Sequence, residues 1–101
     1  MPYDYAVEKF HKAVRSLAGS GSQQQRVYYA LLAIDPLEPS DLPTSVRDLF
    51  EEIRAAFKIA KPINDEGQLR ASIEVMSEQE LHDHSMKIVD LNDWISGHNG
   101  P

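Results

Sequence analysis

At 101 residues, with 42% apolar and 26% charged side chains, the chain has the size and composition of one globular domain, outside the ranges of disordered and membrane-spanning chains. Its formal charge of −6, from 16 acidic and 10 basic residues, works against a surface that coats nucleic acid, because phosphate contacts come from clustered Lys and Arg. The absence of cysteine excludes a disulfide framework, a thiol nucleophile and a thiolate metal site.

Taken in chain order, the first periodic segment runs from about Tyr3 to Ala18. Tyr3, Val7, Phe10, Val14 and Leu17 share one side of a helix, with Glu8, Lys12 and Arg15 opposite. Gly19 supplies a stop, and the short Gly19-Ser20-Gly21 linker folds the next helix back antiparallel. Ser22 is the expected N-cap of a helix from Gln23 to Ile34, which is apolar most of the way round and therefore expected to be central. Asp35-Pro36-Leu37-Glu38-Pro39 interrupts the chain twice, since proline lacks an amide hydrogen and disfavours helix in the residue before it.

Ser40 or Asp41 is then the expected cap of a third helix, with Pro43 in its first turn and an apolar stripe of Val46, Leu49, Phe50, Ile53 and Phe57. This helix is expected to reach about Ala60, with Lys58 and Lys61 complementing its dipole and Pro62 closing it. A shorter helix follows, capped by Asp65 and carrying Leu69, Ile73 and Met76. Ser77-Glu78-Gln79-Glu80 fits a capping box that opens the last helix. That helix turns Leu81, His84, Ser85, Ile88, Leu91 and Ile95 inward until Gly97 stops it, leaving a short tail over 97–101. The expected fold is all-α: a single domain over 1–101, four long helices and one short one in an up-and-down bundle, with the second helix central. The longest unbroken apolar stretch, Val27 to Ile34, is far short of the roughly 20 residues that span a bilayer. The first residues carry Asp4 and Glu8 and resemble no secretory signal, so the expected location is the cytoplasm.

Chemistry-bearing patterns are sparse. His82-Asp83-His84 has two imidazoles, but residues two apart on a helix diverge by about 200° and cannot share one ion. Glu8-x-x-His11 has the spacing of half a di-iron site, and no second Glu-x-x-His occurs. The serines sit mostly at caps and linkers, and none lies in a Gly-x-Ser-x-Gly turn. Gly19-Ser20-Gly21-Ser22 ahead of a helix is a weak anion-binding pattern, lacking a following Lys-Ser/Thr. Gln23, Gln24, Gln25 and Arg26 are residue types that read bases, but they open a helix too apolar to lie in a groove. Lys9, Lys12 and Arg15 form a cationic face that Asp4 and Glu8 dilute.

The order of Gly-Ser-x-Gln-x-Arg (Gly21 to Arg26), Asp-Leu-Pro (Asp41 to Pro43), Arg-x-x-Phe-x-x-Ile (Arg47 to Ile53) and Met-Ser-x-x-Glu (Met76 to Glu80) resembles a group of small, uncharacterised bacterial proteins over most of the chain. The resemblance implies a bacterial, cytoplasmic, all-helical protein. It brings no activity and assigns no functional residue.

The reading that follows is a non-enzymatic protein–protein interaction or regulatory module, with no cofactor and no catalytic or metal-binding residue. Its partner is a foreign protein or a second copy, giving a homodimer. The candidate partner surface is a second face of the last helix: His82, Met86, Val89 and Asp93, flanked by Trp94. Two alternatives stand beside it, an enzyme using Glu8, His11, His82 or His84 through a metal or acid–base chemistry, and a nucleic-acid-binding regulator using Gln23 to Arg26.

Overall fold

A computed structural model describes residues 3–57 and 66–99. These residues form five α-helices and one 3₁₀ turn, with no strand among them: α1 (Asp4–Leu17), α2 (Gln23–Ile34), the turn (Pro39–Asp41), α3 (Thr44–Ala56), α4 (Glu66–Val75) and α5 (Glu78–Asn99). The helices pack as a compact bundle whose radius of gyration, 12.7 Å, matches that of a closely packed chain of this length. α2 packs against α1, α4 and α5, and α5 against α1, α2 and α3. The centre is therefore shared between α2 and α5.

In α1 the fully buried residues are Ala6, Phe10 and Ala13, while Tyr3, Val7, Val14 and Leu17 pack around them partly buried. The core face is thus rotated from the stripe of large residues toward two alanines, whose small side chains let a neighbouring helix approach closely. The chain leaves α1 through Ala18, and the left-handed position is Gly21 (φ 109°), two residues beyond the expected Gly19. A Cβ at Gly21 would lie 2.8 Å from Gln25 Oε1, so both backbone and space demand glycine there. That crowding comes from the start of α2. The Ser22 hydroxyl accepts from the Gln25 amide (3.1 Å), and the Gln25 side chain accepts from the Ser22 amide (3.0 Å), which is a full capping box.

α2 buries Val27, Tyr28, Ala30, Leu31 and Ile34, a spread too wide for one stripe, as its contacts with three helices require. The connector after it also closes the core, because Leu37 and Leu42 are fully buried. Ser40 and Asp41 do not cap α3. They belong to the 3₁₀ turn, where the Asp41 carboxylate accepts from the Glu38 amide at 2.9 Å. Pro43 stands at the N-cap position with extended backbone (φ −57°, ψ 143°) instead of in the first turn. Leu42 before it is extended too, as a residue preceding proline must be, so a helix containing Asp41 could not continue through it.

α3 turns Val46, Phe50 and Ile53 inward, with Phe57 buried just past its end and Leu49 half-buried. It stops at Ala56, short of the expected Ala60; the expected roles of Lys58, Lys61, Pro62 and Asp65 lie outside the described residues. Phe10 and Phe50 meet edge to face at 6.3 Å, joining α1 to α3. α4 buries Leu69 and Ile73, and its Ser72 hydroxyl donates to carbonyl oxygens of Phe57 (3.1 Å) and Gln68 (3.0 Å). The Ser77 box opens α5 as expected: Ser77 Oγ accepts from the Glu80 amide (3.1 Å), and Glu80 Oε1 from the Ser77 amide (2.9 Å). α5 then buries Leu81, Ile88, Leu91 and Ile95 and continues through Gly97 to Asn99. Gly97 permits a stop without imposing one, and a Cβ there would meet nothing within 4 Å.

Candidate interaction surfaces

On α5, residues 82, 86, 89 and 93 follow the i, i+4, i+7, i+11 spacing of a single face. His82, Met86 and Asp93 are exposed on it, Met86 to 44%, while Val89 is half-buried. Trp94 is also half-buried and packs against the core. Met86 is surrounded on its helix by acids: Asp83, which accepts from Gln79 Nε2 at 2.8 Å, and the exposed Asp90 and Asp93. Lys87, the lysine of α5, donates to Glu52 Oε1 at 3.0 Å and ties the flank of α5 to α3.

His82 and His84 diverge as helical geometry requires. His84 turns toward the core, its ring 5.0 Å from that of Phe57 at 65°, while His82 is exposed. Burial, with Lys87 adding to it, holds the His84 pKa below the ordinary 6.5. Its buried Nδ1 has no hydrogen-bond partner among the described residues. His11 shares a hydrogen bond with Ser96 Oγ (3.2 Å), joining α1 to α5, and Glu8 pairs with Lys12 one turn on (3.6 Å). Among the described residues no group of three or more His, Cys, Asp or Glu could hold a metal ion.

The Gln23 to Arg26 segment is tied up internally. Gln23 Nε2 donates to the Glu78 carbonyl (3.0 Å), Gln25 completes the capping box, and Arg26 Nη1 donates to the Leu17 carbonyl at the end of α1 (3.2 Å). Three of the four side chains that would read bases thus hold helix ends together instead.

A further surface went unread in the sequence. Where α2 passes α4, a half-open recess of about 340 Å³ is bordered by Gln24, Gln25, Tyr28, Tyr29, Arg70 and Glu74. The Arg70 guanidinium lies 4.1 Å from the centre of the buried Tyr28 ring. Tyr29 stands edge to face with Tyr28 at 5.4 Å and is 57% exposed. Tyr28-Tyr29 at the start of the apolar part of α2 was the available signal: adjacent residues on a helix lie on different faces, and here that leaves Tyr29 in solvent.

No family model, curated protein or solved structure matches the chain. The four sequence pieces behind the bacterial resemblance each have a structural role here. Gly21, Ser22, Gln25 and Arg26 build the α1–α2 corner; Asp41 to Pro43 end the 3₁₀ turn. Arg47 Nε donates to the Leu42 carbonyl (2.9 Å) beside buried Phe50 and Ile53, and Ser77 with Glu80 caps α5.

Proposed function

We propose that the chain is a non-enzymatic interaction module that docks a protein, foreign or a second copy, on the outer face of α5. The observation that supports this reading is the exposure of Met86 in the middle of a 22-residue helix whose opposite face is buried. Methionine is flexible and polarisable, which suits a side chain that must seat against a partner. His82 and Asp93 form the polar rim on either side, and Val89 adds apolar area at the edge of the same face. Trp94 supplies a half-buried aromatic on the flank, where a partner would complete its cover. Such an arrangement, an apolar centre with a polar rim, is how specific interfaces are built.

Sedimentation of the purified protein tests the homomeric form, which predicts a concentration-dependent dimer, and affinity capture from its source cells with the same variants tests the foreign one. Met86→Asp should abolish association in either form while leaving the helical circular dichroism unchanged, because Met86 is outside the core. Val89 is half-buried, so Val89→Asp would mix interface and fold effects. A monomer at high micromolar concentration whose captured proteins are unaffected by Met86→Asp would refute the proposal.

A further inference from the structure

The geometry points to the α2–α4 recess as a binding site for a monoanionic organic carboxylate with an apolar or aromatic body, held by Arg70 and Tyr29. This site lies on different helices from the α5 face and does not depend on the interaction reading.

Arg70 carries the argument. Its guanidinium carbon lies 4.1 Å from the Tyr28 ring centre, a cation–π contact that holds the group at the recess, and a guanidinium keeps N–H donors that can grip a carboxylate with two parallel bonds. Among the described residues those donors have no taker: Arg70 makes its ring contact with Tyr28 and no hydrogen bond or ion pair, although Glu74 is one turn away on the same helix. Of the four other described arginines, Arg26, Arg47 and Arg54 donate to main-chain carbonyls, and Arg15 lies on α1, away from this recess. Arg70 is thus held against Tyr28 with its N–H donors unengaged among the described residues.

The rest of the recess decides the class of ligand. Tyr29 offers an exposed ring beside the Arg70–Tyr28 contact, a platform for an apolar or aromatic group attached to the carboxylate. Gln24 and Gln25 border the same space and bring side-chain amides to its rim; Gln25 uses its oxygen in the capping box, which leaves its NH₂ as a donor. Among the described residues that line it, the recess carries one cation, Arg70, and one acid, Glu74, in a chain of net charge −6. The Glu74 carboxylate repels any anion here, and a dianionic phosphate doubles that repulsion with a single guanidinium to offset it, so a monoanion suits the recess better. The volume, about 340 Å³, lies at the lower end of the range for small-molecule sites, which fits a small acid or the terminal residue of a peptide.

Nuclear magnetic resonance titration of the intact protein with phenylacetate, and with its neutral isostere phenylacetamide, tests the site. Phenylacetate should shift the resonances of Tyr29, Arg70 and Gln24, and phenylacetamide should bind at least tenfold more weakly. Arg70→Gln should erase that discrimination with an unchanged far-ultraviolet spectrum, since Arg70 is exposed, and Tyr29→Ala should weaken both compounds alike. A peptide ending in phenylalanine, compared as free acid and as amide, separates the two sources. Tighter binding of the peptide acid than of phenylacetate assigns the site to chain termini; equal binding assigns it to free acids. The inference is overturned if acid and amide bind equally, if neither phenylacetate nor the peptide acid perturbs these residues at millimolar concentration, or if inorganic phosphate binds more tightly than phenylacetate.

Discussion

Arg54 shows how far one residue can act beyond its own helix. It sits four residues after Phe50 on the buried side of α3, only 5% exposed, and donates from Nη2 to the Asp35 carbonyl at 2.8 Å, past the end of α2. Its guanidinium also lies 4.9 Å from the Phe50 ring centre. Nothing in the sequence near Arg54 announces this, because the carbonyl it satisfies is 19 positions earlier and is set by the path of the connector. Charge-assisted hydrogen bonds contribute about 1.5–3 kcal/mol, so Arg54→Ala should lower the urea-derived stability by roughly that amount. A loss under about 0.5 kcal/mol, the level of an ordinary surface change, would show that water replaces the bond at little cost. His84 gives a pH-dependent counterpart. Its folded pKa lies below its ordinary 6.5, because burial and Lys87 disfavour the imidazolium despite Asp83, Glu80 and Glu52. The unfolded chain therefore binds more protons in this range, and stability should fall as pH drops below 6.5 and through the folded pKa, levelling once both states are protonated. His84→Leu should flatten that part of the denaturation profile. An imidazole titration of His84 at or above 6.5 would contradict the assignment.

At the scale of the element, what could be read in advance was what is local. The five helices follow from the 3.6-residue recurrence of apolar side chains, and the Ser22 and Ser77 caps from short-range residue chemistry. Turn details were less legible, because they depend on what packs nearby. The left-handed position fell at Gly21 once Gln25 had folded back on Ser22, and α3 began after Pro43 because Asp41 was engaged by the Glu38 amide. The α5 face of His82, Met86 and Asp93 was legible as periodicity, whereas the α2–α4 recess joins residues far apart in sequence and needed the fold. Ser77→Ala should cost about 0.5–2 kcal/mol by thermal denaturation, the usual effect of losing a serine N-cap. The Glu80 carboxylate is held below its ordinary range by hydrogen bonds from the Ser77 amide and side chain, so the pair acts as one device. The two glycines should behave oppositely. Gly97→Ala places a Cβ in open space within a helix and should be neutral or stabilise by up to about 1 kcal/mol, whereas Gly21→Ala must strain a positive φ and displace Gln25. Equal melting temperatures for the two variants would contradict this account.

Across the whole molecule, stability should be unevenly distributed. α1, α2 and α5 pack on one another, and their buried residues, Phe10, Ala13, Leu31, Ile88 and Leu91 among them, form one continuous core. α3 is fastened to that core by the Phe10–Phe50 contact, the Arg54 bond to the Asp35 carbonyl and the Lys87–Glu52 pair. α4 is different. Among the described residues it is the shortest α-helix at 10 residues, packs chiefly against α2, and buries only Leu69, Ser72 and Ile73, while Val75 is 82% exposed. Isolated helices shorter than about 12–15 residues are marginal in water, so α4 depends on that small contact and on the Ser72 bond to the Phe57 carbonyl. Native-state hydrogen exchange should therefore show the amides of Ile73 and its neighbours in α4 opening at a lower free energy than those of Leu31 and Leu91, which should exchange only by global unfolding. Since Arg70 stands on α4 and rests on Tyr28 of α2, phenylacetate bound between them should raise protection in α4 selectively. Protection in α4 equal to that of α2 in the free protein would show that the bundle opens as one unit, and would remove the sub-global motion on which the selective effect depends.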